Sequence, residues 1–149
     1  MMLRPIAVAI AVMVPVPGAL IRHFQAPACE RCAGHRGVTL RTAMGDSVVA
    51  VANGEVDFVG EVGGTLYVVQ RVAPTIRVTY GHLATVLIRQ GVRLSAGEPL
   101  GAAGETTYLS VRVGETHVEP LRALGLGRPR LVASPVAVTQ IVGSSGSPR

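Results

Sequence analysis

The feature that most limits how this chain can fold is how often it is interrupted. Gly45-Asp46, Asn53-Gly54, Gly63-Gly64, Gly91, Gly97-Glu-Pro99, Gly114 and Pro120 punctuate it at short intervals. Glycine reaches positive φ freely and proline removes a backbone donor, so such residues mark turns. Between them lie short runs rich in Val, Ile, Leu and Thr, whose branched side chains pack well on a pleated surface. Ile76-Arg-Val-Thr-Tyr80 alternates apolar and polar residues with period two, the pattern of a half-buried strand. With 18 Gly and 10 Pro in 149 residues, this rhythm predicts a mainly β chain with no long helix. Antiparallel strands in a compact sandwich or open barrel are expected.

Further strands are expected from Ala19 to Phe24, over Val38-Thr-Leu-Arg41, from Ser47 to Ala52, over Leu66 to Val72 and from Tyr108 to Val113. Asn53-Gly54 is the strongest hairpin dipeptide, because both residues tolerate positive φ. After it, Val56, Phe58 and Val62 mark an inward face. Gly114-Glu115 closes a last hairpin, and Leu121-Arg-Ala-Leu124 suits a short turn of helix. Aromatic residues make up only 3% and Trp is absent, so Val, Leu, Ile and Ala must build the core.

The expected organisation is one β domain over residues 15–125. Residues 1–14 read either as a signal-like apolar segment or as a leading strand; the run is too short to span a membrane as a helix. Residues 126–149 read as a flexible tail, with Val136 to Val142 a candidate extra strand. The net charge is +5 and every basic residue is Arg, a balance that suits an acidic polymer. No aromatic–basic cluster is present, so no nucleic-acid partner is expected. Cys29 and Cys32 form a Cys-x-x-Cys in a Pro- and Gly-rich loop. The pair reads as a short-range disulfide in an exported protein or as two free thiols.

Five blocks occur in a telling order: Gly34-His-Arg-Gly-Val-Thr-Leu40, Val49-Ala-Val-Ala-Asn-Gly-Glu-Val56, Tyr80-Gly-His-Leu83, Gly97-Glu-Pro-Leu-Gly101 and Val111-Arg112. Together they resemble the lysostaphin/LytM-like peptidoglycan endopeptidases, zinc enzymes of the duplicated-hybrid-motif fold, over roughly residues 15–122. In that family a Gly-His-x-Gly-x-Asp segment supplies two zinc ligands. A later His-x-His supplies a third ligand and a catalytic His, and the Tyr-Gly-His-Leu histidine is the other catalytic residue. Three protein ligands leave a fourth position for a water whose pKa the metal lowers.

Carried over residue by residue, the resemblance puts His35 at the first ligand and Thr39 at the Asp ligand. It puts His82 at the Tyr-Gly-His-Leu histidine. Aligning on Val111-Arg112 places Thr106 at the catalytic His and Tyr108 at the third ligand; a register shifted by two would use Tyr108 and Ser110. Neither register recovers a histidine. His35 and His82 are therefore expected to be vestiges, with Thr39, Thr106 and Tyr108 as replacements, all converging in one groove. Arg36 and Arg112 are candidates for lining that groove and binding carboxylates through their forked donors. His23 and His117 read as ordinary surface or edge residues.

The resemblance thus implies a non-catalytic, extracytoplasmic cell-envelope domain that binds peptidoglycan or regulates a cell-wall hydrolase, with no cofactor. The alternative is an active zinc metalloendopeptidase with a rearranged site, in which Cys29, Cys32 and His35 hold the ion.

Overall fold

A computed structural model describes residues 10–29, 31–126 and 135–138. Eleven strands and one short helix follow in chain order: β1 (Ile10–Met13), β2 (Ala19–Arg22), β3 (Val38–Arg41), β4 (Ser47–Val49), β5 (Gly54–Val62), β6 (Thr65–Ala73), β7 (Ile76–Val86), β8 (Arg93–Leu94), β9 (Pro99–Val113), β10 (Thr116–Val118), α1 (Pro120–Ala123) and β11 (Pro135–Val138). Nine strands make one antiparallel sheet in the order β2-β3-β9-β7-β6-β5-β8, with β4 and β10 also paired to β9. The sheet is not closed into a barrel.

Strand β9 is the spine. Its 15 residues pair with β3, β4, β7 and β10. Two glycines within it do not break the strand. A Cβ on Gly101 would meet the carbonyl oxygen of Thr85 at 2.4 Å, and one on Gly104 that of His82 at 2.8 Å. Glycine here permits close backbone approach.

One face of the sheet is the core. Val38, Leu40, Val78, Tyr80, Leu109 and Val111 are buried on it, joined by Val14, Val16, Val48, Ala50, Val51 and Ala52. Helix α1 adds Leu121 and Leu124. The fully buried Tyr80 hydroxyl donates to Gln70 Oε1 at 2.7 Å and accepts from the Val51 N–H at 2.9 Å. Gln70 Nε2 in turn donates to the Ala52 and Gly54 carbonyls. Burial pushes the Tyr80 phenol well above its ordinary pKa. It stays protonated and bound into the network, as buried polar groups must be.

Two sequence expectations are corrected. Asn53-Gly54 is no hairpin, because β4 leaves it to pair with β9, and neither residue has positive φ. Instead Asn53 Oδ1 accepts the Ala96 N–H at 2.7 Å. A Cβ on Gly54 would meet the Arg71 carbonyl oxygen at 2.2 Å. Nor do Val56, Phe58 and Val62 share an inward face. A register shift between Val56 and Phe58 reverses the alternation, leaving Phe58 38% and Val62 58% exposed.

Residues 10–13, within the apolar leading segment, pair antiparallel with residues 135–138, within the stretch read as a tail. The remainder of the signal-like segment (1–9) and of the tail (127–134 and 139–149) lies outside the described residues. No helix among the described residues is long and apolar enough to cross a membrane.

Candidate functional site

On the face of the sheet opposite the core, cross-strand register draws one row: Thr39 on β3, Tyr108 on β9, Gly81 on β7 and Tyr67 on β6. Gly81, with no side chain, leaves the space in this row. A Cβ there would meet the Tyr67 ring at 2.5 Å and the Tyr108 ring at 3.1 Å. The two phenols instead meet edge to face, with centroids 6.4 Å apart. On the other side a Cβ on Gly37 would meet the Tyr108 ring at 2.7 Å, so that glycine too gives the ring room.

Two histidines flank this ring. His35 is held by an isolated bridge to Gln25, each backbone N–H donating to the other's carbonyl at 2.8 and 2.9 Å. Its Nε2 shares a hydrogen bond with Thr39 Oγ1 at 3.0 Å, and its ring stands edge-on to Tyr108 with centroids 5.6 Å apart. His82 sits where the β7–β9 register shifts between Gly81 and Leu83. It is the non-glycine with positive φ among the described residues, at 59°, a conformation that costs about 1–3 kcal/mol and concentrates at functional positions. Its Nδ1 shares a hydrogen bond with Thr106 Oγ1 at 3.1 Å, and its ring stacks on Tyr108 at 5.7 Å and 27°.

His35, Thr39, His82, Thr106 and Tyr108 thus converge on one patch. Thr106 reaches His82, and Tyr108 lies between the two imidazoles. Burial lowers the His35 pKa, helped by the charges of Arg22 and His82. Burial also lowers that of His82 and raises that of the Tyr108 phenol. Near neutral pH the patch is two neutral imidazoles and a neutral phenol.

A zinc centre of the kind described above needs three donors converging on one point. Here each imidazole has a nitrogen engaged with a threonine hydroxyl, and an aromatic ring fills the space between them. The thiolate alternative is closed in this structure as well. Cys29 and Cys32 are joined in a disulfide with Cα atoms 4.9 Å apart. Among the described residues no three His, Cys, Asp or Glu side chains are grouped to hold a metal ion. The donors on this face do not fit zinc.

Arg36 and Arg112 are also brought together, in an open pocket of about 710 Å³ lined by Ala26, Pro27, Cys29, Glu115, Thr116 and His117 as well. Sequence reasoning missed two residues. Tyr67 carries no motif and is found only through its register with Gly81. His117 faces this pocket, half-buried and opposite Arg112, whereas His23 is exposed, as read.

The peptidase family M23 model matches residues 33–120. Comparison with curated proteins finds no significant match. Solved structures share the fold. A mutant of the catalytic domain of EnpA, a prophage-encoded M23 protein from Enterococcus faecalis, is 22% identical, with TM-score 0.61 over 70% of this chain and 89% of that one. The catalytic domain of the antimicrobial peptidase lysostaphin from Staphylococcus simulans is 17% identical, with TM-score 0.63 over 72% and 92%. A chain of the SpoIIIAH–SpoIIQ complex is 15% identical, with TM-score 0.65 over 75% and 98%. In three further matched structures this chain spans only 36%, 37% and 50% of the other's length.

Proposed function

This chain belongs to peptidase family M23, and from that membership we propose that it is a non-catalytic cell-envelope domain that keeps the family's groove to bind peptidoglycan or a partner hydrolase. One observation carries the reading: both retained histidines are hydrogen-bonded to threonine hydroxyls, with the Tyr108 ring between them. Hydrolysis in this family needs a held ion, a water activated on it and a base nearby. Thr39 brings no carboxylate, Thr106 brings no imidazole base, and Tyr108 brings a phenol whose pKa is raised, away from the phenolate a metal would need. On this reading His35 and His82 are vestigial and no cofactor is required. A fold neighbour solved as part of a protein complex supports partner binding as a use of this scaffold. An extracytoplasmic location accords with the Cys29–Cys32 disulfide.

The test is metal analysis of the purified protein together with digestion and sedimentation of purified cell walls. The protein is expected to hold less than one zinc per chain and to leave walls intact with zinc in excess, while sedimenting with them. Zinc-dependent cleavage abolished by His35→Ala would overturn the proposal in favour of an active enzyme.

A further inference from the structure

A second row crosses the same face, four residues further along β9 from Tyr108, or roughly 13 Å at the rise of a strand. It runs through Arg71 on β6, Arg77 on β7, Arg112 on β9 and His117 on β10, each directly opposite the next. Like charges directly opposite one another destabilise a sheet, so this row needs anions. One end has them. Asp57 accepts from Arg77 Nε at 3.1 Å and lies 3.7 Å from Arg71, and Glu55 lies 3.9 Å from Arg71.

Among the described residues no carboxylate pairs with Arg112, and its Nε is a buried side-chain nitrogen without a hydrogen-bond partner. Glu115 sits on the exposed hairpin turn at the pocket rim and does not reach that atom. The His117 pKa is lowered by burial and then by the charges of Arg112 and Arg36, the sign of a locally positive site.

We infer that the pocket lined by Ala26, Pro27, Cys29, Arg36, Arg112 and His117 is a carboxylate-binding site for a peptide, with Arg112 as the anchoring fork and Arg36 and His117 around it. A carboxylate there would accept from the guanidinium edge that Arg112 presents to the pocket, in the bidentate geometry guanidinium favours. The pocket volume of about 710 Å³ is that of an organic ligand site, far more than a simple ion fills. Ala26 and Pro27 give it apolar walls for the residues attached to the carboxylate. The inference deepens the cell-wall reading and rests on it only for the source of the peptide.

The test uses the full chain, with N-acetyl-alanyl-alanine, its C-terminal carboxamide and sodium acetate as probes. Binding is followed by calorimetry and by the NMR signals of the His117 ring. The acid is expected to bind at least about tenfold tighter than the amide and than acetate, and to shift His117. Arg112→Met should lose that binding without losing thermal stability, and Arg112→Lys, which keeps the charge but not the fork, should fall between. Equal binding of acid and amide, or a His117 ring that never responds, overturns the site, as does an Arg112→Met protein that binds like the parent. Acetate binding as tightly as the dipeptide removes the peptide from the claim. Wall sedimentation separates the two readings. If Arg112→Met still sediments while losing the dipeptide, the pocket stands and the wall is held elsewhere. If the parent binds the dipeptide and never sediments, the cell-wall reading fails alone.

Discussion

Tyr108 and Arg112 project from the same face of β9, yet their surroundings are opposite in kind. Around Tyr108 one nitrogen of each histidine is hydrogen-bonded within the protein. Threonines answer both histidines, glycines on two strands make room for the ring, and the ring fills the space between the imidazoles. Around Arg112 the protein leaves a buried donor unanswered, places a second arginine and a histidine directly opposite, and keeps a pocket open. In the first patch the side chains bond to or pack on one another, although His82 holds a strained φ. The second patch carries like charges in register and a buried donor without a partner, both of which cost stability. Substitutions in the two should therefore move stability in opposite directions.

The largest expected effect comes from reopening the closed patch. Thr39→Asp with Thr106→His and Tyr108→His would restore the family's donors around His35 and His82, and zinc affinity should rise at least about a hundredfold. Competition against a chromogenic chelator measures it; an unchanged affinity would mean the backbone there no longer has the geometry of a metal site. Next comes Tyr108→Ala, which removes a half-buried ring packed on Tyr67, His35 and His82 and should cost about 2–3 kcal/mol in chemical denaturation. In contrast Arg112→Met should stabilise by about 0.5–1 kcal/mol, since it relieves like-charge opposition and the unanswered Nε. Destabilisation by Arg112→Met would break the comparison, since the pocket would then be as self-satisfied as the patch.

The smallest effect is one of pH. His35, His82 and His117 have folded pKa values below the ordinary 6.5. The unfolded chain therefore binds protons more readily, and stability is fully present above the unfolded pKa and is lost as pH falls through the folded values. Denaturation midpoints should fall between about pH 7.5 and about pH 5. His82→Asn should flatten that dependence, as His82 is lowered by burial alone.

The strands and the convergence were legible because their signals are local or ordered along the chain. Period-two alternation placed Ile76 to Tyr80, and Gly114-Glu115 placed the last hairpin. The motif order brought His35, Thr39, His82, Thr106 and Tyr108 to one patch, which no single block could do. What escaped depended on strand pairing. Asn53-Gly54 has the composition of a tight turn, but β4 finds its partner in β9 and the dipeptide is used for close approach instead. Phe58 turns outward through a bulge that alternation cannot register. Tyr67 joins the patch only because β6 lies beside Gly81, and His117 joins the pocket only because β10 folds back on Arg112.

The row through Gly81 also determines what light can report about this protein. Trp is absent and there are three tyrosines. Tyr80 is sealed in the core, while Tyr67 and Tyr108 face each other across the patch. Apart from the disulfide and the two phenylalanines, the near-ultraviolet circular dichroism therefore arises from one phenol that reads the fold and two that read the patch. Comparing the spectra of Tyr67→Phe and Tyr108→Phe with the parent separates these contributions. A ligand seated between the rings would then announce itself in the optical signal with no label attached.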